Sequence, residues 1–397
     1  MRVLVNGVAS LRPKSGIGHY IDSLHQHLVE SMGEERVAFF PGPVARRIAK
    51  RLLRTTPRPT EAGTMGPSPQ SKRKSPLASP MRLAKHWGSL AFRKLFRVTS
   101  RRGFDLYHEP NYIPWACDLP VVATIHDLSV LLYPQWHPAE RVDNFEKHFF
   151  GGLDRCRHLI ADSDYIRREI IEKLHFPAER VTTVHLGVRP GFRPLPATEV
   201  LPILEKIGLR PGYLLHVGTI EPRKNLLMLM RAFVDLPAPL REKHPLVLIG
   251  GWGWRNEEIR DYFETTARRA GVRHIGYVSE EQLPAIYNGA RALVFPSHYE
   301  GFGFPPLEMM ACGGAVLAST AGSLREILPE RSRLYSPDDL VSWREAMRDS
   351  IEDDDLLAQL QTGTVKHAGR FTWANCARQT WGVYENVLEP RKRAQAA

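Results

Sequence analysis

Residues 292–319, in which apolar runs alternate with a glycine-rich loop and a short helix, constrain the fold of this chain more than any other segment. The apolar run Ala292–Phe295 predicts a buried strand. After a loop rich in glycine and aromatic residues, Pro305 and Pro306 begin a helix, where proline is tolerated because the first amide has no helical partner. A second apolar strand, Ala315–Ala318, follows. This succession of strand, loop, helix and strand predicts a parallel α/β sheet.

Two carboxylates mark the loop of this unit, Glu300 within it and Glu308 in the first helical turn, with Gly301 and Gly303 between them. The loop follows a strand and precedes a helix, where α/β folds bind anionic ligands. Carboxylates accept hydrogen bonds from paired sugar hydroxyls, while free amides of the helix start serve a phosphate. In the alternative interpretation, Glu308 complements the helix dipole and Glu300 is solvated. We favour the ligand-binding interpretation because both carboxylates flank one glycine–aromatic loop.

The run E-G-F-G-F-P-P-L-E, residues 300–308, resembles the E-x7-E signature of retaining glycosyltransferases of the GT4 type. The resemblance implies the GT-B fold, an α/β architecture of two Rossmann-like domains facing across a cleft. It also implies a nucleotide-diphosphate sugar as donor, with Glu300 at the donor sugar and Glu308 on the nucleotide ribose. The other residues that we expect to bind the donor in this loop are Gly301, Phe302, Gly303 and Phe304.

Near the start of the chain, the sequence S-G-I-G, residues 15–18, separates the predicted strand Arg2–Val5 from a predicted helix beginning near Gly18. Alone it is a weak phosphate-loop signal, and a plain turn is the alternative. In GT4 enzymes a G-G-I-G-like turn at this place approaches the donor diphosphate. Although Ser15 replaces the first glycine, the resemblance implies a donor-binding role for Gly16 and Gly18.

The segment T-I-H-D-L, residues 124–128, places His126 and Asp127 directly after the predicted strand Val121–Thr124. A histidine after a strand is often structural, but this is also where α/β folds bind ligands. The segment resembles the histidine segment that faces the donor sugar in GT4 enzymes, which implies a catalytic role for His126. For Asp127 two roles stay open, binding the acceptor or capping and orienting the chain.

Arg223 and Lys224 are adjacent cations in the loop between the predicted strand Tyr213–Val217 and the next helix. A guanidinium fork, an ammonium and helix amides together suit a diphosphate, whereas the alternative is two solvated surface cations. The pair resembles the Arg and Lys that neutralise the leaving diphosphate in GT4 enzymes. Because no D-x-D metal motif is evident, we expect these cations to take the place of a metal, with no cofactor.

By resemblance, Val278 borders the nucleotide base.

The length of 397 residues fits two domains better than one. We predict an acceptor domain over residues 1–190, a donor domain over 191–370, and a last helix and tail over 371–397 that cross back to the first domain. The chain has no apolar run long enough to span a bilayer, no signal-peptide pattern and no C-x-x-C motif, so we expect a cytoplasmic protein.

Basic residues concentrate in an insertion over residues 41–102, which holds 16 Lys and Arg and one acid, Glu61, whereas the whole chain has a net charge of +11. Two basic amphipathic helices are predicted there, Val44–Arg54 and Met81–Arg97. Such helices lie on anionic membrane surfaces, with Trp87, Phe92 and Phe96 as candidate lipid contacts. The alternative is that their apolar faces pack on their own domain. We expect a peripheral location at the inner face of the cytoplasmic membrane and no nucleic-acid partner.

The resemblance implies a retaining hexosyltransferase that transfers a sugar from a nucleotide-diphosphate donor to a hydroxyl of a growing, lipid-linked glycan. The segments T-I-H-D-L and Y-P-Q-W-H-P, residues 124–128 and 133–138, most resemble bacterial mannosyltransferases of O-antigen and exopolysaccharide synthesis. That resemblance implies a mannose or rhamnose donor, with GDP as its nucleotide. The rivals are a nucleotide-sugar epimerase on the same fold and a non-catalytic, membrane-associated scaffold. Against the scaffold stand four intact residues, Glu300, Glu308, Arg223 and Lys224.

Overall fold

The computed structural model describes residues 1–11, 16–42 and 92–395, and these residues form two six-stranded sheets. The strands of the first sheet are β1 (Val3–Asn6), β2 (Val37–Phe40), β3 (Leu106–Glu109), β4 (Val121–Ile125), β5 (Cys156–Ala161) and β6 (Val181–Thr183). Those of the second sheet are β7 (Tyr213–Val217), β8 (Leu246–Ile249), β9 (Val272–Gly276), β10 (Ala290–Phe295), β11 (Ala315–Ser319) and β12 (Leu334–Tyr335).

Helices alternate with the strands along the chain, which is the pattern expected for parallel sheets. Those between strands of the first sheet are α1 (Gly16–Met32), α2 (Ser129–Leu132), α3 (Ala139–Leu153) and α4 (Asp164–Leu174). Those that follow are α5 (Ala197–Lys206), α6 (Leu226–Val234), α7 (Ala238–Lys243), α8 (Glu257–Tyr262), α9 (Leu283–Gly289), α10 (Phe304–Ala311) and α11 (Leu324–Ile327). The C-terminal helices are α12 (Leu340–Glu352), α13 (Asp354–Gln361), α14 (Thr364–Ala368) and α15 (Trp373–Gln395).

The strand order is β2-β1-β3-β4-β5-β6 in the first sheet and β12-β11-β10-β7-β8-β9 in the second. Pairing within the sheets is parallel, so the carboxyl ends of the strands share one edge of each sheet. The order changes direction between β1 and β3 in one sheet and between β7 and β10 in the other. At such topological switch points the loops diverge to opposite faces and leave a crevice that binds ligands.

The central strands of the second sheet, β7, β8, β10 and β11, are mostly apolar and buried, as expected for parallel strands that helices cover on both faces. Its core joins Leu214, Leu248 and Val294 of the strands to Phe233 of α6 and Trp343 of α12. This continuous core fixes the strands that carry the loops at their carboxyl ends.

The structure confirms the predicted α/β class and the central strands, with Tyr213–Val217 and Leu246–Ile249 matching to the residue. Two helix starts differ from the prediction by one or two residues. The helix α1 begins at Gly16 rather than near Gly18, so both glycines lie in its first turn. The helix α10 begins at Phe304, and Pro305 and Pro306 occupy its second and third positions.

The chain divides into two compact units. One comprises residues 1–123, 152–157 and 384–397, and the other comprises residues 124–151 and 158–383. The predicted domain limits at 190 and 370 stay predictions.

Within the described part of the chain, no helix is both long and apolar enough to cross a membrane.

Most of the basic insertion, including Val44–Arg54 and Trp87, lies outside the described residues. Residues 92–100 are helical. There the ring of Phe96 is fully buried and packs 5.2 Å from Phe40 and 5.3 Å from Trp115, measured between ring centroids. The expectation that Phe96 inserts into a membrane is therefore wrong, because its ring belongs to the core of its own unit.

Replacing this ring tests that packing. Phe96→Ala should lower the free energy of unfolding by about 3–5 kcal/mol, as expected when a buried phenylalanine is truncated. Leu95→Ala is the matched control, because the Leu95 side chain on the same helix is half exposed and its loss should change stability by less than about 0.5 kcal/mol. Urea denaturation measures both values, and equal stability of the two variants would contradict the assignment of Phe96 to the core.

Candidate active site

The loops after β7 and β10 meet at the switch point of the second sheet, and they bring Arg223, Lys224 and Glu300 together. Arg223 and Lys224 lie in a 3-10 turn, Pro222–Lys224, that follows β7. The Lys224 ammonium donates to Glu300 Oε1 at 2.6 Å, and Arg223 Nη1 donates to Glu300 Oε2 at 3.0 Å. Arg223 Nη1 also donates to the carbonyl of Tyr299 at 2.8 Å. Residues 76 positions apart in sequence therefore form one ion cluster.

This ion cluster is buried. Lys224 is 7% exposed, Glu300 is 6% exposed and the Arg223 side chain is 14% exposed. The alternative interpretations, two solvated surface cations and a solvated Glu300, are therefore wrong. Burial alone would raise the pKa of Glu300, but Lys224 and Arg223 lower it to about 2. Burial and the neighbouring Arg223 lower the pKa of Lys224, which Glu300 opposes. Glu300 is thus held as a carboxylate between two cations.

A second carboxylate, Glu221, completes the cluster and was not among the predicted site residues. Its Oε1 accepts from Arg223 Nε at 3.1 Å and from Arg223 Nη2 at 3.0 Å. This forked contact fixes the plane of the guanidinium. Burial would lower the pKa of Arg223, but Glu300 and Glu221 raise it. The cluster pairs two cations with two carboxylates, so its formal charges balance.

His126 lies at the end of β4, where its ring is oriented by Asp162 at the end of the neighbouring strand β5. His126 Nδ1 is 2.6 Å from Asp162 Oδ2, and both side chains are buried. The carboxylate acceptor favours a proton on Nδ1 of the ring. Burial raises the pKa of Asp162, while His126 lowers it, and the net shift is upward. Asp162 was not predicted as a site residue.

The backbone of Gly301 packs directly on the His126 segment. A Cβ added at Gly301 would lie 1.9 Å from the carbonyl oxygen of His126, so only glycine fits there. The Ser163 hydroxyl donates to the Gly301 carbonyl at 2.8 Å and also caps α4. These contacts set His126 beside the loop that carries Glu300.

For Asp127, the structure shows the orienting role. Its Oδ1 accepts from the backbone N–H of Ser129 at 2.9 Å and from the Ser129 hydroxyl at 2.8 Å. This Asx turn shapes the chain just after His126. Acceptor binding by Asp127 stays a prediction.

Glu308 forms a separate buried cluster with Arg189 and Tyr287. Its Oε1 accepts from Arg189 Nε at 2.6 Å and its Oε2 from the Tyr287 hydroxyl at 2.9 Å. Burial would lower the pKa of Arg189, but Glu308 raises it, with smaller contributions from Tyr287 and Glu280. Glu308 therefore does more than complement a helix dipole. Because each carboxylate oxygen has two lone pairs, it can still accept a ribose hydroxyl.

Some of the other predicted donor-binding residues have a packing or backbone role in the structure. Phe302 is buried against Phe371, at 6.0 Å between ring centroids, which is a packing role. Gly303 adopts a φ of +114° as the N-cap of α10, and Phe304 begins that helix. Val278 is buried just after β9. The donor roles of these residues stay predictions.

Gly16 and Gly18 belong to the other compact unit, where Gly16 is exposed and Gly18 is buried. The donor-binding role of both glycines also stays a prediction.

This arrangement can stabilise developing negative charge. Two cations are already desolvated, oriented and held by carboxylates, so an arriving diphosphate need not organise them at the moment of reaction. Among the described residues, no group of three or more His, Cys, Asp or Glu side chains could hold a metal ion. The site and the sheets together define a class of protein, an α/β protein with an ion cluster at the switch point of a Rossmann-like sheet.

Comparison with known proteins assigns the family. Residues 14–192 match the model of Glycosyltransferase Family 4, and residues 204–367 match that of Glycosyl transferases group 1. The O-antigen chain mannosyltransferase B of Escherichia coli is 36% identical over 282 residues, which cover 70% of this chain and 74% of the relative. The chain therefore belongs to the glycosyltransferases of group 1 and family 4, and it is a hexosyltransferase.

Solved structures show the same fold. The sucrose-phosphate synthase of Thermosynechococcus elongatus superimposes with a TM-score of 0.71 at 20% identity, covering 98% of this chain and 100% of that one. Anabaena HepE in complex with UDP gives a TM-score of 0.65 at 16% identity, covering 97% and 100%. Both confirm the GT-B fold, with two Rossmann-like domains.

Lys224→Met tests the role of the ammonium while preserving most of the buried side-chain volume. Turnover should fall by two or more orders of magnitude, a loss of roughly 3 kcal/mol in transition-state stabilisation. Since Lys224 is buried and Glu300 would lose a partner, the free energy of unfolding should fall as well.

The matched control is Lys206→Met, because Lys206 is exposed on α5. It should retain normal turnover and stability. Sugar-transfer assays and urea denaturation measure the two effects. Wild-type turnover in Lys224→Met would show that the ammonium does not act in the reaction.

Proposed function

We propose that this protein transfers mannose, or rhamnose, from a GDP-linked donor to a hydroxyl of a growing, lipid-linked glycan in O-antigen or exopolysaccharide synthesis. The observation that carries the proposal is the buried cluster of Arg223, Lys224 and Glu300 at the switch point of the second sheet. The sugar is proposed from the relative that shares 36% identity, which is described as an O-antigen chain mannosyltransferase.

In the proposed reaction, the bond between the anomeric carbon and the diphosphate oxygen breaks, and the electron pair leaves with the diphosphate. Lys224 and Arg223 stabilise that charge as it develops, which lowers the barrier because the charge is greater in the transition state. The acceptor hydroxyl oxygen bonds to the anomeric carbon on the face that the diphosphate leaves. Its proton passes to the departing diphosphate. Configuration is thereby retained, as the family resemblance implies.

Glu300 has two functions in this scheme. Before the donor binds, it holds the two cations in place, and in the complex it accepts hydrogen bonds from donor hydroxyls. His126, oriented by Asp162 at 2.6 Å, offers its Nε2 to another hydroxyl of the same sugar. The cations replace a metal ion in this proposal, so the reaction is metal-independent.

A panel of donors tests this function. GDP-mannose, GDP-rhamnose, UDP-glucose and UDP-galactose are incubated with the protein, and protection against thermal unfolding is measured. GDP-mannose or GDP-rhamnose should protect most, and transfer to a mannoside acceptor should continue at full rate in EDTA. The two UDP-sugars test the alternative that the donor nucleotide is UDP, which is the nucleotide bound in the HepE structure.

Protection by a UDP-sugar alone would contradict the proposed donor. Loss of transfer in EDTA, restored by magnesium or manganese, would contradict metal independence. Conversion of the donor to an epimer without transfer would favour the epimerase. Donor binding without any reaction would favour the scaffold.

We also propose that the basic insertion binds an anionic membrane, where a lipid-linked acceptor would lie. The described part supports this through the exposed side chains of Arg93, Lys94 and Arg97, which share a helix with exposed Leu95 and Val98. Each cation near an anionic bilayer contributes about 1 kcal/mol.

Reversing these three charges together, as Arg93→Glu, Lys94→Glu and Arg97→Glu, should weaken binding to phosphatidylglycerol vesicles at least tenfold. Cosedimentation at low and at physiological salt measures the binding, which should also weaken with salt because screening shortens the range of the attraction. The control exchanges both arginines for lysine and keeps the charge. Equal vesicle binding by the charge-reversed and control variants would contradict the role of this helix.

A further inference from the structure

Tyr299 precedes Glu300 in the loop after β10, and the reaction proposed above gives its side chain no role. Tyr299 is 1% exposed. Its hydroxyl donates to Glu169 Oε2 on α4 and accepts from the backbone N–H of Leu128 at 3.1 Å. One phenol hydroxyl therefore joins three segments of the same compact unit, which are the loop after β10, the helix α4 and the segment that follows His126.

The backbone of Tyr299 contacts the ion cluster. Its carbonyl accepts from Arg223 Nη1 at 2.8 Å, and the same nitrogen donates to Glu300 Oε2 at 3.0 Å. Tyr299 is thus bonded to the ion cluster through its backbone and to the His126 segment through its side chain. A shift of Tyr299 would change the distance between the Arg223 guanidinium and that segment.

Two contacts hold the loop after β10 against the His126 segment. At one end the Gly301 backbone packs on the His126 carbonyl, because a Cβ at Gly301 would lie 1.9 Å from that oxygen. At the other end the Leu128 N–H bonds to the Tyr299 hydroxyl. Two contacts separated along the chain define an angle between the segments, whereas a single contact leaves a pivot. The Tyr299 hydroxyl therefore helps to set that angle.

Glu169 and two aromatic rings hold the phenol in place. Glu169 is 8% exposed and also accepts a hydrogen bond from Tyr165. Burial raises the pKa of this carboxyl, whereas the hydrogen bonds from both tyrosines lower it. The ring of Tyr299 packs 5.4 Å from Tyr133 and 6.1 Å from Tyr165, measured between ring centroids. A side chain that is held at its ring and at its hydroxyl can fix the position of a neighbouring group.

We propose that Tyr299 is a positioning residue for sugar transfer, whose hydroxyl, held by Glu169, sets His126 at the correct angle to the ion cluster. This inference rests on the proposed function, in which His126 contacts the donor sugar and the two cations contact the diphosphate. Without the hydroxyl, the cations and Glu300 stay paired, so nucleotide binding persists. The His126 segment loses one of its contacts, so the sugar is held less well in the transition state.

Tyr299→Phe tests this role, because it keeps the ring and removes the group that donates to Glu169 and accepts from Leu128. With GDP-mannose as donor and methyl α-mannoside as acceptor, kcat should fall at least tenfold. The donor KM and the Kd for GDP should stay within threefold of the wild-type values. Such a split marks a contact that acts mainly in the transition state.

The His126 ring supplies a readout that needs no donor. Its Cε1–H signal in the NMR spectrum of 13C-histidine-labelled protein is assigned with His126→Asn. The signal should shift in Tyr299→Phe, because the segment that carries the ring changes its position.

The matched control is Tyr213→Phe. Tyr213 is fully buried at the start of β7, and its hydroxyl donates to the Ile286 carbonyl at 2.5 Å. This variant also loses a buried hydrogen bond, so its Tm should fall as that of Tyr299→Phe does. Its kcat and its His126 signal should match the wild type. Equal losses of kcat in the two variants would overturn the proposal in favour of a purely structural tyrosine.

Glu169→Leu removes the acceptor of the Tyr299 hydroxyl and is the second variant. Its kcat should also fall at least tenfold, with the Kd for GDP unchanged. The double variant with Tyr299→Phe should be no slower than the slower single variant, because both changes remove one contact. Losses that multiply would contradict the pairing of the two residues. If Glu169→Leu fails to fold, Tyr299→Phe and its control decide the proposal.

Failure of the proposed function gives a different result. If no donor supports transfer but the His126 signal shifts in Tyr299→Phe and not in Tyr213→Phe, the transfer reaction is wrong and the positioning role stands. If transfer occurs and Tyr299→Phe keeps the wild-type kcat, the reaction stands and the positioning role is wrong. An unchanged His126 signal in Tyr299→Phe overturns the positioning role in either case.

Discussion

The contact of Lys224 and Arg223 with Glu300 is the interaction on which the rest of the site depends. Burying charges costs several kcal/mol for each ion, and only close pairing with opposite charges offsets this. The second sheet makes the pairing possible, because adjacent β7 and β10 place their loops at one switch point. The resulting cluster is desolvated, rigid and balanced in charge before any substrate arrives. An anion that enters it finds two cations already oriented, which is the condition for electrostatic catalysis.

Much of this arrangement could be predicted because local sequence encodes it. Apolar runs bounded by glycine and proline predicted the strands, and in a parallel sheet the residues after a strand lie at the ligand-binding edge. Arg223, Lys224, Glu300 and His126 all follow strands in this way. The structure brings the first three into direct contact and sets His126 against the same loop.

The remaining features depend on tertiary contacts that no local pattern encodes. Lys224 is buried because two loops pack together, and the residues next to it in the sequence do not reveal that contact. Arg189 and Tyr287 reach Glu308 from distant segments. Asp162, in contrast, could have been found, since it follows β5 just as His126 follows the adjacent strand β4. Phe96 was misjudged because an amphipathic helix presents the same pattern to a membrane and to a protein core.

The two cations at the switch point of the second sheet, Arg223 and Lys224, suit a diphosphate. The most direct test of the central claim is a crystal structure of the protein with GDP bound. The account predicts diphosphate oxygens within about 3 Å of Lys224 Nζ and of the Arg223 guanidinium, which is hydrogen-bond distance. A diphosphate bound elsewhere, with the contacts between Glu300 and both cations unchanged, would contradict it.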